Sequence, residues 1–180
     1  MDAVDALDAV DEGSAVRGKK LNDRLAAMAG FVTAGESVAD IGADHGYLPM
    51  YLVREGISPF AILTDKNPGP LEKTRASVAK RQIEEGKLIL RLGDGLAALS
   101  EAEVDTVVIA GMGAETIVSI LEADPEKTRS FGKFIFQPRT KTDILRDWVA
   151  GAGWEVSETQ AGERGRLCDI IVCKTGKQYG

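Results

Sequence analysis

Short apolar runs rich in Val and Ile alternate along this chain with longer stretches of helical spacing. The runs predict strands over Ser37–Ile41, Phe60–Asp65, Leu88–Leu92, Asp105–Ala110 and Lys133–Gln137. Helices are expected between them, near Tyr47–Glu55, Pro70–Glu85, Ala114–Ala123 and Thr142–Gly151. One more helix precedes the first strand, because Leu21, Leu25, Met28, Ala29 and Val32 recur on one helical face. Strands this apolar belong to a parallel sheet covered on both sides. The pattern changes near the C-terminal end. Trp154–Thr159 and Leu167–Lys174 read as strands with no helix between them. Their link, Gln160–Arg166, holds Gly162 and Gly165, which predicts a hairpin. The expected fold is α/β and Rossmann-like: a mainly parallel seven-stranded sheet, helices on both faces and a C-terminal β-hairpin. Dehydrogenases of related architecture normally close with a sixth parallel strand.

Composition narrows the class without naming a chemistry. The 180 residues are 44% hydrophobic and 28% charged, as in ordinary globular proteins. One domain is expected over residues 17–176, after an acidic, flexible lead over 1–16. That lead holds Asp2, Asp5, Asp8, Asp11 and Glu12 and, over residues 2–12, no base. It therefore carries most of the net charge of −6, and the remainder is near neutral. Basic clusters there could still meet phosphates. They fall at Arg17, Lys19, Lys20 and Arg24, at Lys127, Arg129 and Lys133, and at Arg139, Lys141, Arg164 and Arg166. No apolar run reaches the roughly 18 residues of a membrane span, and the acidic start is unlike a signal peptide, so a cytoplasmic protein is expected. Cys168 and Cys173 lie an odd number of residues apart on one strand, so they should face opposite sides and stay unpaired. With a single histidine and no Cys/His cluster, no metal site is expected.

The chemistry concentrates at the strand ends. Val38–Leu48 reads as a buried strand ending near Asp40, a glycine turn and a helix start. The run Asp40-x-Gly42-x-Asp44-x-Gly46 departs from the G-x-G-x-x-G of dinucleotide folds. It is closer to the acidic-x-G-x-G-x-G loop of S-adenosylmethionine (SAM) enzymes, with Asp44 in the middle glycine slot. Acids beside a pyrophosphate are unfavourable; beside a sulfonium and an ammonium they are favourable. Gly42 allows the turn, and Gly46 allows close packing of the helix start. His45 caps the helix, touches cofactor or, less simply, acts as a base. A structural turn in another α/β fold is the plain alternative.

Later strand ends add to this. Asp65, followed by Lys66, ends the second strand where an acid can accept from ribose hydroxyls. Gly93-Asp94-Gly95 follows the third, where an acid can accept from an adenine amine and the glycines let the base approach. Each could instead be a simple cap or turn. Ala110, Gly111 and Met112 end the fourth strand, which in a SAM enzyme of this topology would face the reactive methyl group. Gln137 ends the fifth strand, Arg139 and Lys141 follow it, and Arg24 precedes the first; all four are candidate substrate contacts at the rim.

Together these residues resemble the TrmK family, bacterial tRNA (adenine-N1)-methyltransferases acting on the D-arm adenine. The matching pieces are Leu21-Asn-Asp-Arg-Leu25, Ala39-Asp-Ile-Gly-Ala-Asp-His-Gly-Tyr-Leu-Pro49, Gly93-Asp-Gly-Leu96, Ile109-Ala-Gly-Met-Gly113 and Phe136-Gln-Pro138. They cover about residues 18–174. Two features depart from the family pattern. Arg139 stands where members carry Asn after Gln-Pro, and the sequence stops soon after its last strand, where members continue into a helical domain thought to help hold tRNA. The resemblance therefore covers the catalytic domain. It implies a class I SAM-dependent methyltransferase with SAM as cofactor and tRNA as partner, methylating adenine N1. Asp65 would hold the ribose, Asp94 the adenine, and Asp40 the amino-acid end of the cofactor. Asp44 could stabilise the cationic product. Another methyl acceptor, a non-catalytic SAM-binding module and an NAD-dependent oxidoreductase are the alternatives. Oligomeric state is not legible.

Overall fold

The computed structural model describes residues 21–43 and 45–176. The acidic lead expected over 1–16, the bases Arg17, Lys19 and Lys20, and Asp44 lie outside the described residues. The elements run α1 (Asp23–Ala29), β1 (Val38–Ile41), α2 (Tyr47–Arg54), β2 (Ala61–Asp65), α3 (Pro68–Lys80), β3 (Leu88–Leu92), β4 (Thr106–Met112), α4 (Ala114–Glu122), α5 (Pro125–Ser130), β5 (Lys133–Pro138), α6 (Thr142–Gly151), β6 (Glu155–Glu163) and β7 (Arg166–Lys174). A short 3-10 segment, Gly95–Ala98, follows β3.

The strands form one seven-stranded sheet in the order β3-β2-β1-β4-β5-β7-β6. The first five strands pair in parallel. β7 enters antiparallel between β5 and β6, as the helix-free C-terminal pattern predicts. β1, β2 and β5 are buried nearly throughout, β4 is buried over its first four residues, and β3, at the edge, is only half-buried.

Each face of the sheet has its own core. On one, Phe134 stacks between Phe136 (5.4 Å between ring centroids) and Trp154 (5.4 Å), and Ile117, Leu121, Leu145 and Val149 of α4 and α6 close over them. Burying such rings dominates core stability. Trp148 meets Trp154 edge to face at 5.2 Å and donates from Nε1 to Glu122 Oε1 (2.9 Å). Both tryptophans thus serve packing. On the other face, Met28 of α1 and Leu48 and Leu52 of α2 cover Val38, Val108 and Ile135.

Several boundaries differ from the sequence expectation. α1 stops at Ala29 and its last apolar positions turn through i→i+3 bonds, Phe31 N to Met28 O and Val32 N to Ala29 O. α3 begins at Pro68 and ends at Lys80, not Glu85; Gln82 takes φ 52° and breaks the ladder, with Ile83 the one apolar side chain left to hold a further turn. The expected hairpin link is mostly strand, with pairing continuing to Glu163↔Arg166 around a tight Arg164-Gly165 turn. α5, capped by Asp124 (Oδ1 accepts from Lys127 N, 3.1 Å) and started by Pro125, is an additional helix. Cys168 and Cys173 are free, the first half-buried and the second buried.

Candidate active site

A cleft of about 750 Å³ opens at the C-terminal ends of the parallel strands. Backbone bonds bring its loops together. Gly42 N donates to Thr64 O (2.8 Å), Gly93 N to Asp65 O (2.9 Å) and Arg139 N to Met112 O (2.8 Å). The loops after β1, β2 and β3 are thus tied to one another, as are those after β4 and β5, and the parallel pairing of β1 with β4 sets the two groups side by side.

The first loop is built as its glycines require. Gly42 has φ 69°, and a Cβ there would stand 2.5 Å from Met112 Cε. Gly46 has φ 68° at the N-cap of α2, and its Cβ would meet Leu63 Cδ2 and Thr74 Cγ2 at 2.9 Å. So Gly46 seats the helix start on β2 and α3, and Gly42 sets the β1 turn against the β4 turn. His45 lines the cleft and stacks on Tyr47 (centroids 5.4 Å apart, planes 12° apart).

Asp40 is 8% exposed and borders the cleft from β1. Burial pushes its carboxyl up from 3.8 to about 7, against the opposing pull of the Arg24 guanidinium. Asp65 ends β2, and its Oδ1 accepts from Asn67 N at 2.8 Å, fixing the turn into α3. Asp65 and Lys66 line the cleft beside Gly93, Asp94 and Gly95. Asp94 is exposed and precedes the 3-10 segment without capping it through its side chain. That segment is braced from β3. Arg91 holds Glu103 through two hydrogen bonds (2.8 and 2.6 Å) and donates to Ala98 O (3.0 Å). This brace had no signal in the sequence, because its partners are set by the fold.

The opposite wall holds Ala110, Gly111 and Met112 at the end of β4. β4 extends through Met112, past the expected end at Ala110, with a register irregularity between Ala110 and Met112. Arg139 lies over Gly111, its Nε 3.5 Å from where a Cβ would stand. Arg24 comes from α1, whose start is fixed by Asn22 (Oδ1 accepts from Leu25 N, 2.8 Å). Its Nε donates to Glu163 Oε1 (3.0 Å) and its Nη1 to Gln137 Oε1 (3.2 Å).

Two rim candidates are placed elsewhere. Gln137 is 3% exposed and does not line the cleft; it sits behind Arg24, and its Nε2 donates to Pro138 O (3.2 Å). Lys141 is exposed, outside the cleft lining, and pairs with Glu115 (2.8 Å). A strand interior thus buries Gln137 away from the rim where it was expected, and Lys141 stays at the surface in an ion pair. Lys133, in one of the basic clusters, is buried at the other end of β5 and pairs with Glu36 (2.7 Å). The structure adds residues that the motifs did not flag. Glu163 and Arg164, at the hairpin turn, line the cleft, as does Thr64. The Thr64 hydroxyl is buried with no hydrogen-bond partner. Among the described residues no group of three or more His, Cys, Asp or Glu is arranged to hold a metal, and no helix is long and apolar enough to cross a membrane.

A sheet of this order, reversed only at its last-inserted strand and lined by acids at successive strand ends, defines a protein of the class I SAM-dependent methyltransferase fold. A methyltransferase domain family matches residues 21–171. The tRNA (adenine(22)-N(1))-methyltransferase of Bacillus subtilis (strain 168) is 34% identical over 162 residues, covering 87% of this chain and 66% of that relative. The crystal structure of B. subtilis TrmK, an m1A22 tRNA methyltransferase, matches with a TM-score of 0.81 at 33% identity, over 87% of this chain and 67% of that one. M. capricolum TrmK in complex with S-adenosylhomocysteine (SAH), its natural cofactor product, matches with a TM-score of 0.77 at 29% identity, over 87% and 70%. The chain belongs to the TrmK family of tRNA (adenine-N1)-methyltransferases. It spans about two thirds (66%) of the length of the curated B. subtilis relative.

Proposed function

We propose that this protein binds SAM in the cleft and transfers its methyl group to N1 of an adenine in tRNA. The observation that carries the reading is the row of carboxylates on adjacent strand ends, Asp40, Asp65 and Asp94, around a glycine turn on one cleft. The residues present fit the cofactor. A buried carboxylate suits the ammonium of the cofactor's amino-acid end, and Thr64 offers a buried hydroxyl that lacks a partner within the protein. When bound, SAM supplies an electrophilic methyl group on a sulfonium.

The chain's own residues then divide the work. Asp65 and Lys66 face the ribose, and Asp94, between Gly93 and Gly95, accepts from the adenine amine of the cofactor. Asp40 holds the amino-acid end, with Arg24 tuning its charge. Gly42 and Gly46 shape the turn, and His45 closes it. Ala110, Gly111 and Met112 form the wall where the acceptor approaches, with Arg139 above Gly111 to meet tRNA phosphate. Adenine N1 carries an in-plane lone pair, so attack needs no prior deprotonation. Proximity and orientation are the main contribution. The product ring is cationic, and Asp44, in the same loop, is the carboxylate assigned to stabilise it.

The test is calorimetry of SAH against NAD, followed by labelled-SAM turnover on unmodified tRNA. Binding of SAH but not NAD, with label entering tRNA, supports the reading. NAD binding in preference to SAH overturns it.

A further inference from the structure

The acids on the cleft divide by strand. In the sheet order β3-β2-β1-β4-β5-β7-β6, Asp94, Asp65 and Asp40 stand at the C-terminal ends of the first three strands. Glu163 ends β6, at the opposite edge of the sheet. β5 and β6 both pair antiparallel to β7, so they run in the same direction, and the last residue of β6 reaches the cleft end. The wall of Ala110, Gly111 and Met112, at the end of β4, falls between the two groups in that order. Among the described acids that line the cleft, the three aspartates are assigned to the cofactor, and Glu163 is left on the acceptor's side of the wall.

Glu163 is held in place. β6 and β7 stay paired to Glu163↔Arg166, beyond the last β5–β7 pair at Phe136↔Ile171. Arg146 of α6 braces the base of this overhang through Glu158 (2.8 Å). Arg24 Nε donates to Glu163 Oε1 (3.0 Å), and Arg24 is itself fixed by Gln137 Oε1 (3.2 Å). A carboxylate offers about four lone-pair sites, and Arg24 fills one. Beside the other oxygen, Oε2, stands the Cys168 thiol, a weak donor, with its Sγ at 4.0 Å. The side chain is 28% exposed on the cleft. The cleft thus carries an oriented carboxylate with most of its accepting capacity open to a ligand.

We propose that Glu163 selects the acceptor base: its carboxylate accepts a hydrogen bond from the exocyclic N6 amine of adenine while N1 faces the methyl group. The inference rests on the reading that the acceptor is an RNA adenine. N1 and N6 share one edge of the ring, so an N1 aimed at the β4 wall carries the amine into the cleft, where it needs an acceptor. In the transfer, the N1 lone pair forms the new N–C bond as the C–S bond breaks, and the C–S electron pair stays on sulfur. The positive charge passes from the sulfonium to the ring, where N1 and N6 share it, and no proton has to leave. The amine hydrogens become stronger donors as the reaction proceeds. A carboxylate facing them therefore binds the transition state better than the ground state. This contact adds to the charge stabilisation assigned to Asp44. Guanine is rejected twice, because it sets its O6 against the carboxylate and carries a proton on N1.

The test is a cycle between the side chain and the amine, run on the full chain. The RNA that wild type labels is synthesised with adenine at the labelled position, or with purine ribonucleoside, which lacks the amine. Purine N1 is less basic, so every protein should methylate it more slowly. The contact is read in the ratio of kcat/KM values, adenine over purine. That ratio should be about 10- to 100-fold larger for wild type than for Glu163→Gln, whose amide sets a donor against the amine. The isosteric glutamine can still accept from Arg24. Glu163→Ala should show the same reduced ratio, although it leaves Arg24 without that partner. Each ratio is taken within one protein, so lost stability or a displaced Arg24 cancels. The wild-type ratio in both variants, with rates lowered equally on the two RNAs, would show that Glu163 only holds Arg24; it overturns the proposal and leaves RNA methylation intact. Wild-type protein that binds SAH but labels no RNA overturns the acceptor reading itself, and this assignment with it.

Discussion

The Met112 Cε methyl lies 2.5 Å from the point where a Cβ on Gly42 would stand. The turn after β1 and the turn after β4 are thus packed directly on each other, and both line the cleft. Gly42→Val places branched carbons into that contact at φ 69°. It should abolish measurable SAH binding while circular dichroism still shows the sheet. A valine variant with wild-type SAH affinity would remove the turn from the site.

Asp65→Ala and Asp94→Ala should each weaken SAH binding by about 1.5–3 kcal/mol, the range for a lost charge-assisted hydrogen bond. The two should differ in stability. Asp65 also holds Asn67 N at 2.8 Å, so its loss should lower the melting temperature more than that of Asp94, which is exposed. Unchanged affinity in both folded variants, measured by calorimetry, would defeat the assignment.

The strand-end acids were legible because each follows an apolar run that can be little else than a buried parallel strand, as at Ala61–Asp65. The register then had few choices. What stayed hidden depends on long-range pairing. β6 reads Glu-Val-Ser-Glu-Thr-Gln-Ala-Gly-Glu and is mostly exposed, so no apolar alternation marks its length. Its pairing with β7 alone carries Glu163 to Arg24, 139 residues away in sequence. Likewise Gln137 was expected to end its strand at the rim, but β5 runs on to Pro138 and buries it. α5 has cap and proline signals yet is too short for periodicity to show.

Asp40 sets a pH dependence. Its folded-state value of about 7 lies above the ordinary 3.8, so the apo fold holds it protonated through the range where an unfolded chain has lost that proton. Its contribution to stability is full below about pH 4 and lost as pH rises through about 7. The α-ammonium of the ligand, set beside Asp40, favours its carboxylate, so SAH binding should release a proton below that value. Affinity should rise toward tenfold per unit at most below pH 7 and level off above it. Calorimetry in buffers of different ionisation enthalpy measures the proton directly. Asp40→Asn should flatten this dependence and gain stability over wild type at pH 8. A flat wild-type profile would contradict the role.

Arg24 is a positioning residue between Asp40, Gln137 and Glu163. Arg24→Ala removes the charge that opposes burial at Asp40, so the pH midpoint of SAH binding should move upward. Stability should fall by about 1–3 kcal/mol, since Glu163 and Gln137 lose their partner. A melting curve and binding profile that match wild type would show that the contact is incidental.

The two bases after β5 should separate. Arg139 overhangs Gly111 inside the cleft, whereas Lys141 is paired with Glu115 outside it. Arg139→Ala should weaken tRNA binding and reduce the log–log salt slope by about one unit at most. Lys141→Ala should do neither, and SAH affinity should hold in both. Equal effects, read by filter binding across a salt series, would contradict this division of the rim.

The central claim is the acceptor atom. The direct measurement is to incubate the chain at low salt with labelled SAM and unmodified tRNA, digest the RNA and identify the labelled nucleoside by mass spectrometry. The account predicts 1-methyladenosine, dependent on Asp94. Label in a different nucleoside, or SAH-competent protein that labels no tRNA, would contradict it.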